Sequence, residues 1–108
     1  MDDLTLTEEL ILWAVWRLKD NAYGVTIRKH VSLTTKRIFP YGTLYNILSK
    51  LAHKGYVIKT TSDPIPVRGG RSKNYYKITK TGIDALQNAA KLKKILWNRE
   101  TEEALEEN

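Results

Sequence analysis

The sequence contains no cysteine, one methionine and one phenylalanine in 108 residues. Without thiols there is neither a disulfide nor a thiolate metal site, so the fold must rest on its core, and a reducing cytoplasm is the expected location. Long apolar runs are missing as well. The longest, Leu10 to Trp16, falls far short of the roughly 20 residues that span a bilayer. No secretory leader is expected, because Asp2 and Asp3 stand where its cationic start would lie. Catalytic signals are equally scarce. His30 and His53 sit on separate segments with no carboxylate at ligand or dyad spacing, no serine is set beside a base, and no glycine-rich loop opens a helix after a strand. No catalytic residue, metal ligand or cofactor is assigned, and the chain is not expected to be an enzyme.

Acidic residues are absent from most of the middle. From Ala22 to Lys80 twelve lysines and arginines face a single acid, Asp63. The other acids gather at the ends, with Glu8 and Glu9 near the start and Glu100, Glu102, Glu103, Glu106 and Glu107 near the finish. Net charge is +6, and a basic body between acidic ends suits a polyanion partner, although a solvated basic surface would have the same composition. Apolar residues at 42 % and charged residues at 28 % fit one small globular domain. Self-association would enlarge its modest core.

The periodicity predicts a first helix from Thr5 or Thr7 to about Asp20, with Thr5 and Glu8 at capping-box spacing. Residues 10–16 are apolar on every side, so that helix should be covered on more than one face. AYGVTIRKHV predicts a second helix, with Val25 or Ile27 and Val31 inward and Arg28 and Lys29 outward. Thr34 to Phe39 is a polar connection. PYGTLYNILSKLAHKG predicts a third helix. Pro40 suits its first position, Leu44, Ile47, Leu48 and Leu51 form its inner face, and Gly55 ends it. YVIKTT and NYYKIT predict two strands around a loop holding two prolines and two glycines. Thr79 or Thr81 caps a last helix running into the acidic tail, where the C-terminal dipole disfavours glutamate and fraying is expected.

Three helices followed by a hairpin make a mainly α fold with a small β-hairpin, the winged helix-turn-helix, to which a C-terminal dimerisation helix is added. Such a fold places its third helix in a major groove with the hairpin loop beside it. Opposite the apolar stripe of that helix lie Gly42, Asn46, Ser49 and His53, flanked by Thr43 and Lys50. Asparagine can pair with adenine, hydroxyls donate or accept, and lysine neutralises phosphate. In VRGGRSK the glycines allow a tight reversal, and Arg68, Arg71 and Lys73 can reach phosphates or a narrow minor groove. A solvated hairpin tip would need the same residues. Tyr76 and Ile78 should point inward and Lys77 outward.

YGVTI, YGTLYNILSKLAHKGYV and RGGRSKNYYKITKTG, in this order and spacing, resemble the PadR family of bacterial transcription regulators over nearly the whole chain, and the length resembles that of its short subclass with a single C-terminal helix. The resemblance implies a homodimer that represses by binding an inverted-repeat operator in double-stranded DNA and is released by a small, often aromatic, effector. It carries DNA contact onto Tyr41, Thr43, Tyr45, Asn46, Lys50, Arg68, Arg71 and Lys73. Pro40 departs from the pattern, since a Ser or Thr commonly caps the third helix and would supply a phosphate contact of its own. Tyr45, at the edge of the apolar stripe, can either pack against the wing or offer its hydroxyl to a phosphate.

The last helix spreads Ile83, Leu86, Ala89, Ala90, Leu92, Ile95, Leu96 and Trp97 over more than half its circumference. A two-fold dimer burying the first and last helices would cover that surface. Residues 1–80 are thus expected to form the DNA-binding unit, its first helix shared with the dimer interface, and residues 81–108 the dimerisation helix and acidic tail. Trp13, Trp16 and Trp97 fall on these helices. They serve either as interface core or, as in short relatives whose interface encloses an aromatic cavity, as effector contacts. An alternative function is a winged-helix protein-interaction module without specific DNA binding, for which an apolar outer face on the third helix would argue.

Overall fold

The computed structural model describes residues 4–61 and 73–106, apart from the side chains of Arg99 and Thr101. Helix α1, Leu6–Leu18, begins as its spacing predicts. Glu8 N donates to Thr5 Oγ1 at 3.1 Å, and Thr5 N donates to Glu8 Oε1 at 2.9 Å, so two otherwise orphaned donors are satisfied reciprocally. A 3₁₀ turn, Lys19–Asn21, follows. Helix α1 packs on the second, third and fourth helices and on the hairpin. Ile11, Leu12, Ala14 and Val15 are therefore buried within the single chain, which covers more of this over-apolar helix than its sequence suggests.

Helix α2 spans Gly24–Thr35 and buries Ile27 and Val31, leaving Val25 to solvent. Lys29 is exposed, but Arg28 departs from the expected outward course. Its Nε donates to the Phe39 carbonyl at 2.7 Å, and its guanidinium carbon lies 4.6 Å from the centre of the Tyr41 ring. Helix α3, Tyr41–His53, buries Leu44, Ile47, Leu48 and Leu51 on one side. Pro40 is its N-cap and not its first helical residue: ψ is 147°, and its carbonyl accepts from Leu44 N at 3.0 Å. Past the last turn Gly55 adopts φ of 80°, a left-handed conformation that glycine enters without steric cost, and Tyr56 N returns to the Leu51 carbonyl.

Strands β1, Val57–Thr61, and β2, Asn74–Ile78, pair antiparallel with Val57 opposite Ile78 and Thr61 opposite Asn74. Tyr76 is buried, Ile78 half-buried and Lys77 exposed, as their alternation predicts. A backbone bridge between Tyr23 and Tyr75, with Tyr76 N donating to the Ala22 carbonyl at 2.8 Å, ties the hairpin to the start of α2. The loop between the strands, with Arg68 and Arg71, lies outside the described residues.

Helix α4, Lys80–Leu96, is capped by Thr79, whose Oγ1 accepts from Gly82 N at 3.0 Å. Only its first half is buried, at Gly82, Ala85 and Leu86. The continuous helix and fraying tail expected from the sequence are replaced by a break at Trp97–Asn98 and a separate helix α5, Arg99–Glu106. The restart changes the setting of only some of the glutamates, because α5 itself ends at Glu106. It puts Glu100 and Glu102 in a first turn, where negative charge is favoured. The molecule is accordingly elongated, 63 × 28 × 21 Å. Three helices and a two-stranded hairpin make the winged helix-turn-helix, to which α4 and α5 are added. No helix among the described residues is long and apolar enough to cross a membrane.

Candidate nucleic-acid interface

Burial of one face of α3 decides where its other side chains go. With Leu44, Ile47, Leu48 and Leu51 in the core, Gly42, Thr43, Asn46, Ser49, Lys50 and His53 are all exposed. That outer surface offers amide and hydroxyl hydrogen-bonding groups and a cation, and carries no aliphatic side chain. Gly42 has nothing near the place a Cβ would occupy, so the first turn is open to close approach. Pro40 has no hydroxyl, so the N-cap side chain accepts from none of the backbone donors of that turn.

Tyr41 and Tyr45 stand one helical turn apart with ring centroids 6.1 Å from each other and planes 24° apart. Arg28 sits over Tyr41, so a cation from α2, bonded to the Phe39 carbonyl, braces the entry to α3. Tyr45 takes a course the sequence did not single out. Its ring lies against Gly24 of α2, where an added Cβ would stand 2.1 Å from the hydroxyl oxygen. The exposed part of the same side chain borders a cleft of about 260 Å³ between α3 and the hairpin, lined also by Ser49, Ala52, Lys59, Asn74 and Tyr76. Burial raises the Tyr76 pKa above its ordinary value, and the neighbouring Tyr45 adds to this, so Tyr76 meets the cleft as a neutral phenol.

Lys73 is exposed at the entry to β2, with its ammonium 4.4 Å from the centre of the Tyr23 ring. Tyr23 in turn meets Tyr75 edge-to-face at 5.4 Å. The structure thus gathers Tyr41, Thr43, Tyr45, Asn46 and Lys50 on one helix and sets Lys73 on the adjoining hairpin. Tyr23, Lys59 and Asn74 carry no signal of this placement in the sequence, and Arg28 is expected from it only to point outward. Arg28 meets Phe39 and Tyr41 only through the α2–α3 turn, and helical periodicity carries no signal for such a contact.

The three tryptophans have separate surroundings within one chain. Trp13 is half-buried and lines a pocket of about 200 Å³ with Leu10, Arg17, His30, Val31, Thr34 and Thr35. Trp16 is exposed beneath the Lys19 ammonium, 3.7 Å from the ring centre. Trp97 stands at the end of α4 and donates its indole N–H to Glu102 Oε1 at 2.9 Å. Among the described residues no group of three or more His, Cys, Asp and Glu side chains could hold a metal ion.

The sequence model of the transcriptional regulator PadR-like family matches residues 14–88, from the middle of α1 into α4. Among solved structures, RosR of H. salinarum is 27 % identical with a TM-score of 0.69, covering 96 % of this chain and 88 % of its own. A PadR family transcription regulator from Clostridium difficile is 26 % identical with a TM-score of 0.68, covering 81 % of this chain and 85 % of its own. A transcriptional regulator from Thermoplasma acidophilum shares the fold at a TM-score of 0.71 and 22 % identity, covering 95 % of this chain and 92 % of its own. No functionally curated protein matches the sequence.

Proposed function

The chain belongs to the PadR-like family of transcriptional regulators, and from that membership we propose that it is a homodimeric repressor reading an inverted-repeat operator in double-stranded DNA. The observation that carries the reading is the outer face of α3, where Thr43, Asn46, Ser49 and Lys50 are exposed on a helix whose opposite side is fixed in the core. Asn46 reads a base edge, and Thr43 and Lys50 meet phosphates on either side. Tyr41 and Tyr45 offer hydroxyls to the same backbone. Arg68, Arg71 and Lys73 carry the flanking contacts of the hairpin, consistent with Lys73 emerging beside Tyr23. PadR regulators act by binding DNA and not as enzymes, and dimerisation is typical of them.

Residues 1–80 then form the reading unit and residues 81–108 the dimerisation arm. A small aromatic effector is accommodated where Trp13, Trp16 and Trp97 of two copies converge. Selection of bound duplexes from a random pool tests the main reading. It should return an inverted repeat whose half-sites lie about one duplex turn, ~34 Å, apart. Recovery of no sequence preference would refute it. Repeating the selection with candidate aromatic compounds should deplete the bound fraction while quenching tryptophan fluorescence if the effector assignment holds.

A further inference from the structure

The arm formed by α4 is bonded at its start and paired again near its far end. At its start, Thr79 Oγ1 donates to the Gly55 carbonyl at 2.6 Å and Thr79 N donates to the Tyr56 carbonyl at 3.0 Å, so the first turn is bonded to the chain leaving α3. Gly82 lies so near the Tyr56 carbonyl that a Cβ would stand 2.3 Å from it. Fourteen residues beyond Thr79, about 21 Å along a helix axis, Lys93 pairs with Glu9 in the first turn of α1. Between these points the buried contacts of α4 stop at Leu86.

The residue before Glu9 ties the same turn to the reading helix. Glu8 holds Lys54, the C-cap of α3, through both carboxylate oxygens at 2.9 and 3.1 Å. Two adjacent, largely buried carboxylates therefore connect one end of α3 to a point far along α4. A rod bonded at one end and braced at a distance has its angle set by the brace.

We propose that Glu9 and Lys93 are positioning residues that set the angle of the α4 arm against α3, and thereby the half-site separation that the dimer accepts. The inference rests on the dimeric DNA-binding reading above. In a two-fold dimer joined through α4, any rotation of the arm moves both reading helices, and the displacement is doubled across the symmetry axis. Glu9 is a buried carboxylate, whereas the Lys93 side chain is 57 % exposed. The lysine can therefore be altered without opening the core, which separates positioning from folding.

The test measures binding of the intact wild-type and Lys93→Gln proteins to a single half-site and to inverted repeats of graded spacing. Lys93→Gln should fold normally and keep its half-site affinity. Its preference for the best spacing over the neighbouring ones should fall by up to about fivefold, the range for an ion pair with one exposed partner. Lys93→Arg, which retains the charge, should preserve the wild-type profile. A Lys93→Gln profile superimposable on wild type would overturn the inference, as would a parallel loss of half-site affinity, which would mark a merely structural role. A wild-type protein with no spacing optimum would fail one step earlier, because the underlying dimeric reading falls without recourse to any variant.

Discussion

Glu8 serves two partners from one buried position: its carboxylate closes the capping box on Thr5 and holds the Lys54 ammonium. Burial by itself would raise its pKa, but the hydrogen bond from the Thr5 backbone and the attraction of Lys54 outweigh burial and leave it below the ordinary 4.5. Because the folded value is the lower one, the unfolded chain takes up its proton first as pH falls. The stabilisation is therefore complete above about pH 4.5 and is lost as pH drops through the folded value. Glu8→Gln keeps an acceptor for Thr5 N but removes the charge. It should cost about 2 kcal/mol at pH 7, and the gap to wild type should narrow at pH 3.5, both read by urea unfolding. A gap unchanged between the two pH values would show that the carboxylate charge contributes nothing. On the proposed reading, substitutions at Asn46 and Lys50 distinguish base readout from phosphate contact at the same scale. Asn46→Ala should reduce discrimination at one operator position by about 1–3 kcal/mol while sparing non-specific binding. Lys50→Ala and Arg71→Ala should weaken binding to every duplex and each lower the salt slope by about one unit. Equal loss on all sequences from the Asn46 change would remove it from base readout.

At the scale of elements, legibility followed the range of the interactions involved. Helix α1 could be started from Thr5 and Glu8, and α3 could be oriented from Leu44, Ile47, Leu48 and Leu51, because caps and helical stripes are local patterns. The strands and the alternation of Tyr76, Lys77 and Ile78 were legible for the same reason. Contacts between elements were not. The brace of Arg28 on Phe39 and the seat of the Tyr45 ring on Gly24 each depend on where a second element lies, and no local pattern marks the break at Trp97–Asn98. Of the candidate site, the residues of α3 could be read from their periodicity, while Tyr23, Lys59 and Asn74 come near it only through the hairpin pairing and its bridge to α2. Gly82 supplies a prediction in which the local and inter-element arguments have opposite signs. Helix propensity alone says that Gly82→Ala should stabilise α4 by about 1 kcal/mol. The Tyr56 carbonyl 2.3 Å from the new Cβ, itself accepting from Thr79 N, and Ile78 Cγ1 at 2.8 Å leave that methyl no room. Net destabilisation of about 1–2 kcal/mol is expected from overpacking, measured as a lowered Tm. A raised Tm would mean that the junction between α3 and α4 yields easily.

For the whole molecule, the governing fact is how unevenly the single chain covers its own apolar surface. The body is closed, with Ile11, Leu12, Ile27, Leu44, Leu48 and Leu51 wholly buried, whereas Leu92, Ile95, Leu96 and Trp97 at the far end of α4 are each more than half exposed. Apolar coverage of α1 therefore gives little argument for a second copy, and the case for the dimer moves to the arm. The arm also carries Lys91 and Lys94 among those apolar residues, so a second arm meets an amphipathic surface with cations at its margin and not a bare hydrophobic strip. If Leu92 and Ile95 face a symmetry-related arm, a charge introduced at either is buried twice in one dimer. Ile95→Glu should lose about 2 kcal/mol of apolar burial per copy, hence about 4 per dimer and about a thousandfold in the dimer Kd. Sedimentation at micromolar concentration should then find monomers with an unchanged circular dichroism spectrum, because the substituted side chain is already exposed in the isolated fold. Half-site binding should survive in that variant while the added affinity of the inverted repeat disappears. An Ile95→Glu protein that remains dimeric would place the contact elsewhere on the surface and detach the geometry of the arm from the spacing of the operator.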